Sequence, residues 1–370
     1  MTLPITPLLT TLTNWRTARA MADGPRAGAI ALALAGLAAM PAADIVRAQD
    51  FYAGKTVTMI VANTPSSGFD AYGRLLARNM PRYIPGSPNI IVQHMPGAGG
   101  AKANEYTALI APKDGTALTI TMPGSILLPL LQGRQKFRYD PTKLAFVGNA
   151  DSGTRVCILA DKSGVKTFED LLAKPVTVGA TAPGGSLYDY ARFKQVLLGA
   201  KFRIVTGYPG PGDILIAIER GELDGICGLD ISTLKTLRPT WVGSKEYNTV
   251  IQVTAAKDKS SAELDRIGVP TIWKFIPADK LPVVELIVKQ QAFHRPFFAP
   301  GDIPPAQLAI LRKAFLSALK DPAALAEAEK QNLALDPSSG EEVAAAVKSM
   351  FDAPQSLVDA MARATQPPPG

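Results

Sequence analysis

The chain has 370 residues, 47% of them hydrophobic and 19% charged, which suits two globular domains and excludes a disordered or low-complexity chain. Its 39 lysines and arginines against 32 acids leave a net charge of +7, scattered with no basic block interleaved with aromatics, so no nucleic-acid partner is expected. The 31 prolines and 31 glycines imply many turns.

The first 48 residues differ from the rest. Arg16, Arg19 and Arg26 precede an apolar stretch at residues 27–40, and Val46 and Ala48 supply small residues at the −3 and −1 positions. This reads as a secretory signal cleaved after Ala48, with Met21 an alternative start. The stretch is too short and too rich in alanine for a membrane span. No cysteine lies near the cleavage point, so no lipid anchor is expected.

Beyond the signal, strand-like and helix-like runs alternate. VTMIVAN (57–63), NIIVQHM (89–95) and ALTITM (117–122) read as strands, with helical runs at residues 70–83 and 101–111 between them. The pattern repeats with RVCILA (155–160), a helix capped at Thr167, VTVGAT (176–181), a helix from Leu187, FRIVTGY (202–208), a helix at 214–221, DGICGL (224–229) and TVIQVTA (249–255). Apolar strands without alternation are expected of parallel sheets covered on both faces. Two successive sets of this kind predict two α/β lobes, followed by a helical C-terminal part.

Five of these strands end in loops of small residues, after Asn63, Met95, Met122, Thr181 and Tyr208. Ligand crevices of open α/β sheets lie beyond the carboxyl ends of the strands. The first such loop carries Pro65, Ser66, Ser67 and Gly68 and opens a helix near Asp70. Exposed N–H groups there suit a nucleotide phosphate, a reaction oxyanion or a carried carboxylate. No stretch supplies the P-loop pattern, and Gly97-Ala98-Gly99 departs from the dinucleotide fingerprint at Lys102. Without a phosphate-binding lysine or Mg²⁺ motif, a carboxylate is favoured over a polyphosphate. No nucleophile elbow exists, and Ser66, Ser67, Ser125 and Ser186 have no histidine nearby in sequence. His94 and His294, the only histidines, read as structural, hydrogen-bonded side chains. Clustered Cys, His or carboxylates at ligand spacing are lacking, so neither a metal, a cofactor nor a catalytic residue is expected.

VTMIVANTPSSGFDAYGRLLA, NIIVQHMPGAGGAKANEY, PKDGTALTI, ATAPGGSLYDYARFKQ, YPGPGDILIAIERGELDG and FFAPGDIPPAQLAILRKAF, in this order and spacing, resemble the periplasmic receptors of the tripartite tricarboxylate transporters, the Bug family. The resemblance implies an α/β Venus-flytrap of the type II periplasmic binding class. One lobe would be built from residues 49–153 plus 297–370, and the inserted lobe from residues 154–296. It implies a monomeric periplasmic receptor that carries a small organic acid to the membrane permease subunits of such a transporter. A receptor that presents its ligand to a sensor kinase, or an exported hydrolase, are the alternatives.

By position, the resemblance makes a first jaw of Thr64, Ser66, Ser67, Gly68, Phe69 and Asp70, and a second of Thr181, Pro183, Gly184, Gly185 and Ser186. Thr121, Gly124 and Ser125 match a third contact loop, and Tyr208 with residues 210–213 a fourth. Asp230 follows the strand DGICGL. Ser66 and Ser67 stand where the family usually has glycine, and Phe69 where threonine is common. For Asp70 a helix-capping role competes with ligand contact. Arg155 enters the second lobe on the crossing strand, near the cleft mouth, where a structural ion pair is the competing role. In the implied topology RVCILA and DGICGL are antiparallel neighbours, so Cys157 and Cys227 lie close together, as a disulfide or as two buried thiols.

Overall fold

The computed structural model describes residues 51–65, 67–254 and 261–367. The signal expected in residues 1–48, and Ser66 of the first jaw, lie outside the described residues. The elements in chain order are β1 (Thr56–Val61), α1 (Gly68–Asn79), β2 (Asn89–His94), α2 (Ala101–Leu109), β3 (Ala117–Ile120), α3 (Pro123–Gln132), β4 (Ala145–Asn149) and β5 (Arg155–Ala160). Next come α4 (Phe168–Ala173), β6 (Val176–Gly179), α5 (Ser186–Leu198), β7 (Phe202–Val205), α6 (Pro211–Arg220), β8 (Gly225–Asp230), α7 (Ile231–Leu237) and β9 (Tyr247–Val253). The chain continues through α8 (Ala262–Arg266), α9 (Leu281–Lys289), β10 (Pro296–Ala299), α10 (Pro305–Ala318), α11 (Pro322–Lys330), β11 (Ser338–Ser339), α12 (Gly340–Phe351) and α13 (Gln355–Thr365). Among the described residues no helix is long and apolar enough to cross a membrane.

Two mixed sheets result. The first has the order β11-β4-β10-β3-β1-β2, with β1 parallel to β2 and β3, and β10 antiparallel between β3 and β4. The second has the order β7-β6-β8-β5-β9, with β6 parallel to β7 and β8, and β5 antiparallel to β8 and β9. The two strands at which the chain passes between sheets, β5 and β10, run antiparallel to both of their neighbours, and the short β11 also pairs antiparallel with β4.

β5 is buried at every position. Val156 and Ile158 join one apolar cluster with Ile214 and Ile218 of α6, while Cys157 and Leu159 join another with Phe193 of α5 and Ile287 of α9. Cover on both faces explains a strand with no polar alternate. β2 departs from that expectation: it alternates, with Ile91 46% exposed, because it is an edge strand of the first sheet. The cluster that contains Cys157 also takes in Phe146 of β4, Phe298 of β10, Phe351 of α12 and Met361 of α13, so one core runs through both sheets.

Helix starts follow local chemistry. Thr167 and Asp170 make the capping box of α4, and the Ser67 hydroxyl accepts the Asp70 N–H at the start of α1. Pro123-Gly124-Ser125, read as a loop, is instead the first turn of α3, where proline at the opening position loses no helical hydrogen bond.

Candidate ligand-binding site

The carboxyl ends of β1 and β3 lie side by side, with Val61 opposite Ile120, so the loops after them share one edge of the first sheet. β10 runs antiparallel with Phe297 opposite Ile120, which brings the preceding His294 and Arg295 to that same edge. In the second sheet Arg155, the first residue of β5, lies opposite Asp230, the last residue of β8. The segments that cross between sheets therefore carry charged side chains into the strand-end region.

There they form a buried cluster of Asp151, Arg155, Asp230, His294 and Arg295, none more than 7% exposed. Asp230 caps α7, accepting the N–H groups of Ser232 and Thr233 at 3.1 and 3.2 Å. His294 Nδ1 lies 3.2 Å from Asp151 Oδ2 and 3.5 Å from Asp230 Oδ2. On the other side of the imidazole, Arg295 Nη1 lies 2.9 Å from Nε2. The Arg295 guanidinium covers the Phe69 ring at 4.4 Å and the Tyr72 ring at 5.1 Å. A Cβ on Gly68 would sit 3.4 Å from Arg295 Nη2 and 3.8 Å from Thr233 Oγ1. Arg155 Nη1 donates to the Gly228 carbonyl at 3.4 Å, and the guanidinium lies 5.8 Å from the Tyr190 ring. Neither arginine has a carboxylate at ion-pair distance among the described residues, and the Nε of each is buried without a partner.

Burial shifts the titration of this cluster. Asp151 is pushed up to about 7, first by burial and then by the nearby Asp230, against the pull of Arg295. Burial, with Arg155 and Arg295 adding to it, holds His294 well below its ordinary value. His294 is therefore neutral, and its contact with Asp151 is a hydrogen bond, not an ion pair. Arg295 can only donate, so Nε2 is the acceptor and the proton sits on Nδ1. Asp151, Asp230 and His294 lie close enough together to suggest a metal site. Metal ligation through Nδ1 would move the proton to Nε2 and set two donors face to face, so this cluster does not suit a cation.

The other sequence-predicted residues are placed as follows. Asp70 is buried, and its carboxylate meets His94 Nε2 at 2.8 Å and Arg74 Nε at 2.9 Å. It ties the start of α1 to the end of β2. Thr64 is exposed, its N–H donating to Asn63 Oδ1 at 2.8 Å. Thr121 and Ser125 are buried with their hydroxyls 2.7 Å apart, and Ser125 also accepts from Asn104 at 2.9 Å. Gly124 lies directly against the Gly184 carbonyl, where any side chain would collide, so the third contact loop meets the second jaw. Gly184 has φ +86 and donates its N–H to Asp189 Oδ1 at 2.9 Å, Gly185 caps α5, Ser186 begins it, and Pro183 is exposed. Thr181 lies beside Gly185. Tyr208 packs at the rim of the α6 cluster, and its N–H donates to Ala180 O at 3.4 Å.

Arg295, Tyr72 and Thr233 were missed by sequence reasoning. A signal existed for Arg295: it precedes the returning strand just as Arg155 begins the entering one. His294, read as structural, is hydrogen-bonded as expected but stands next to the site's most directed charge.

No protein-family model matches the chain. Among curated proteins it is 27% identical over 286 residues to a UPF0065 protein from the TAR-I ttuE-ttuC′ intergenic region of Agrobacterium vitis, covering 75% of each chain. Among solved structures it is similar to the periplasmic binding protein BugD (TM-score 0.63, 17% identity, 85% of this chain and 98% of that one). It is also similar to MatC from Rhodopseudomonas palustris with bound malate (TM-score 0.62, 20% identity, 83% and 99%). With two sheets joined at antiparallel crossing strands, and these neighbours, the chain has the α/β fold of the TctC and BugD type of periplasmic solute-binding protein.

Proposed function

We propose that the protein is a periplasmic receptor that binds a small organic acid between its two sheets and delivers it to the membrane subunits of a tripartite tricarboxylate-type transporter. The observation that carries this reading is Arg295. Its guanidinium is buried beside two aromatic rings, has no carboxylate at ion-pair distance among the described residues, and lies at the first turn of α1. A buried cation with no directly paired carboxylate is costly, and a ligand carboxylate is the group that would offset the cost. The N–H groups at the start of α1 add favourable partial charge for the same anion. Malate in the similar MatC supports the class of ligand. In this reading Gly68 and Phe69 face the acid from one lobe and the residues from Thr181 to Ser186 from the other. Asp70 holds the start of α1 in place.

A thermal-shift screen of mono-, di- and tricarboxylates, aromatic acids and amino acids against neutral sugars tests the reading, because binding stabilises the folded state by RT ln(1 + [L]/Kd). Acids are expected to raise the melting temperature and sugars to leave it unchanged. Arg295→Gln should weaken the best acid at least tenfold, about 1.4 kcal/mol. Tight binding of neutral sugars with no acid hit would overturn the assignment.

A further inference from the structure

We infer that His294 and Asp151 are positioning residues that aim the Arg295 guanidinium at the bound acid without cancelling its charge. The inference rests on the reading of this cleft as an organic-acid site. An arginine side chain has many rotamers, and a site that depends on one of them needs something to select it. Here the bond to His294 Nε2 is the only side-chain hydrogen bond of Arg295 among the described residues. The Phe69 and Tyr72 rings lie 4.4 and 5.1 Å from the guanidinium carbon, and the imidazole fixes one of its nitrogens.

The choice of acceptor matters. A carboxylate in that place would hold Arg295 more strongly but would also neutralise it, leaving little attraction for a ligand anion. A neutral imidazole accepts the hydrogen bond and leaves the full charge available. For this, Nε2 must be bare and the proton fixed on Nδ1, which the Asp151 carboxylate does at 3.2 Å. Gly153 keeps the approach open: a side chain there would collide with the imidazole and crowd the Asp230 carboxylate. Asp151 itself is held by the Gly153 N–H at 3.1 Å. The charged and titratable groups around Asp151 and His294 are Asp230 at the start of α7, Arg155 on β5, Tyr72 on α1 and Arg295 itself. Burial pushes the Asp151 carboxyl up to about 7, so as the pH falls through neutrality the cluster gains one positive charge.

Two measurements test this. Calorimetry with malate, adipate and citrate gives the affinity of the wild type and of the Arg295→Gln, His294→Gln, His294→Leu and Asp151→Asn variants at pH 6 and 8. Nitrogen NMR on the two histidines reads the tautomer of His294 without any ligand. The expected results are a proton on Nδ1, at least tenfold weaker acid binding in His294→Leu, and recovery in His294→Gln, whose amide oxygen can accept from Arg295. Wild-type affinity should rise from pH 8 to pH 6, and Asp151→Asn, whose amide NH2 must face either the Gly153 N–H or the His294 Nδ1–H, should lose this pH dependence and bind more weakly than the wild type at pH 6. A His294 protonated on Nε2, or Arg295→Gln losing the acid while His294→Leu keeps it, overturns the positioning role alone. If none of the three acids binds the wild type, or Arg295→Gln binds them unchanged, the organic-acid reading fails and this inference with it.

Discussion

Asp189 lies in the first turn of α5, 4% exposed, with the Gly184 N–H as its hydrogen-bond donor. Burial pushes its carboxyl up to about 8 against an ordinary value of 3.8, and the single N–H bond only partly opposes this. Between those two values the folded chain holds a proton that the unfolded chain has lost, so stability falls as pH rises through the window and stays lower above it. Lys194, lowered to about 7 by burial and by Arg155, acts in the opposite sense: its effect makes stability rise with pH between about 7 and 10.5. Asp189→Asn keeps the acceptor for Gly184 and removes the ionisation. Its melting temperature should already exceed the wild type's at pH 5 and exceed it by a larger margin at pH 9; equal shifts at both would contradict the burial argument. At this scale the sequence was informative where backbone chemistry is local. Gly68, Gly124 and Gly184 were placed by motif order, and Thr167 by its capping pattern. The buried surroundings of Arg295 and His294 were not legible, because they are set by neighbours brought in from α1, β5 and α7.

β5 and β8 illustrate what a single element can and cannot announce. RVCILA is a strand at the residues expected, since five apolar residues in a row after Arg155 leave little choice. AFVGN, which is β4, was not anticipated: its flanks are short turns, and its partners β10 and β11 lie far along the chain. The pairing of β5 with β8 puts Cys157 opposite Cys227, Cα atoms 4.0 Å apart, and a disulfide joins them. The bond closes a separation of 70 residues, for which the chain-entropy model gives a stabilisation of about 4 kcal/mol. Alkylation of the native protein without reductant, followed by mass spectrometry, should find no modified cysteine, and reduction should lower the melting temperature. Two alkylated thiols would show instead that the strands hold a pair of buried sulfhydryls.

At the scale of the molecule, the two sheets share one apolar cluster, and the C-terminal helices sit across it. α12 packs on β4 of the first sheet and on α9, while α13 packs on α3, α5 and α9. The contact of Gly124 with Gly184, and of the Thr236 hydroxyl with the Gln331 carbonyl at 3.2 Å, bring the two sides together at separate points. On the proposed reading as a ligand clamp, the two sheets close only as far as ligand contacts favour the closed state. X-ray scattering should therefore show a smaller radius of gyration with saturating organic acid than without it. Superimposable curves, with binding verified in the same sample, would remove closure from the account.

The sequence by itself determined the alternation of strands and helices, the small-residue loops at the strand ends and the spacing that carries the family resemblance. Each of these depends on chemistry within about ten neighbouring residues: apolar runs, caps, prolines and glycines. Tertiary structure alone decided which strands are edges, that α3 begins at Pro123 against the second jaw, and that His294 and Arg295 share a buried cluster with Asp151, Arg155 and Asp230. Those outcomes depend on long-range packing that brings residues 151 and 294 within a hydrogen bond of each other, and on desolvation, which no local pattern of residues records.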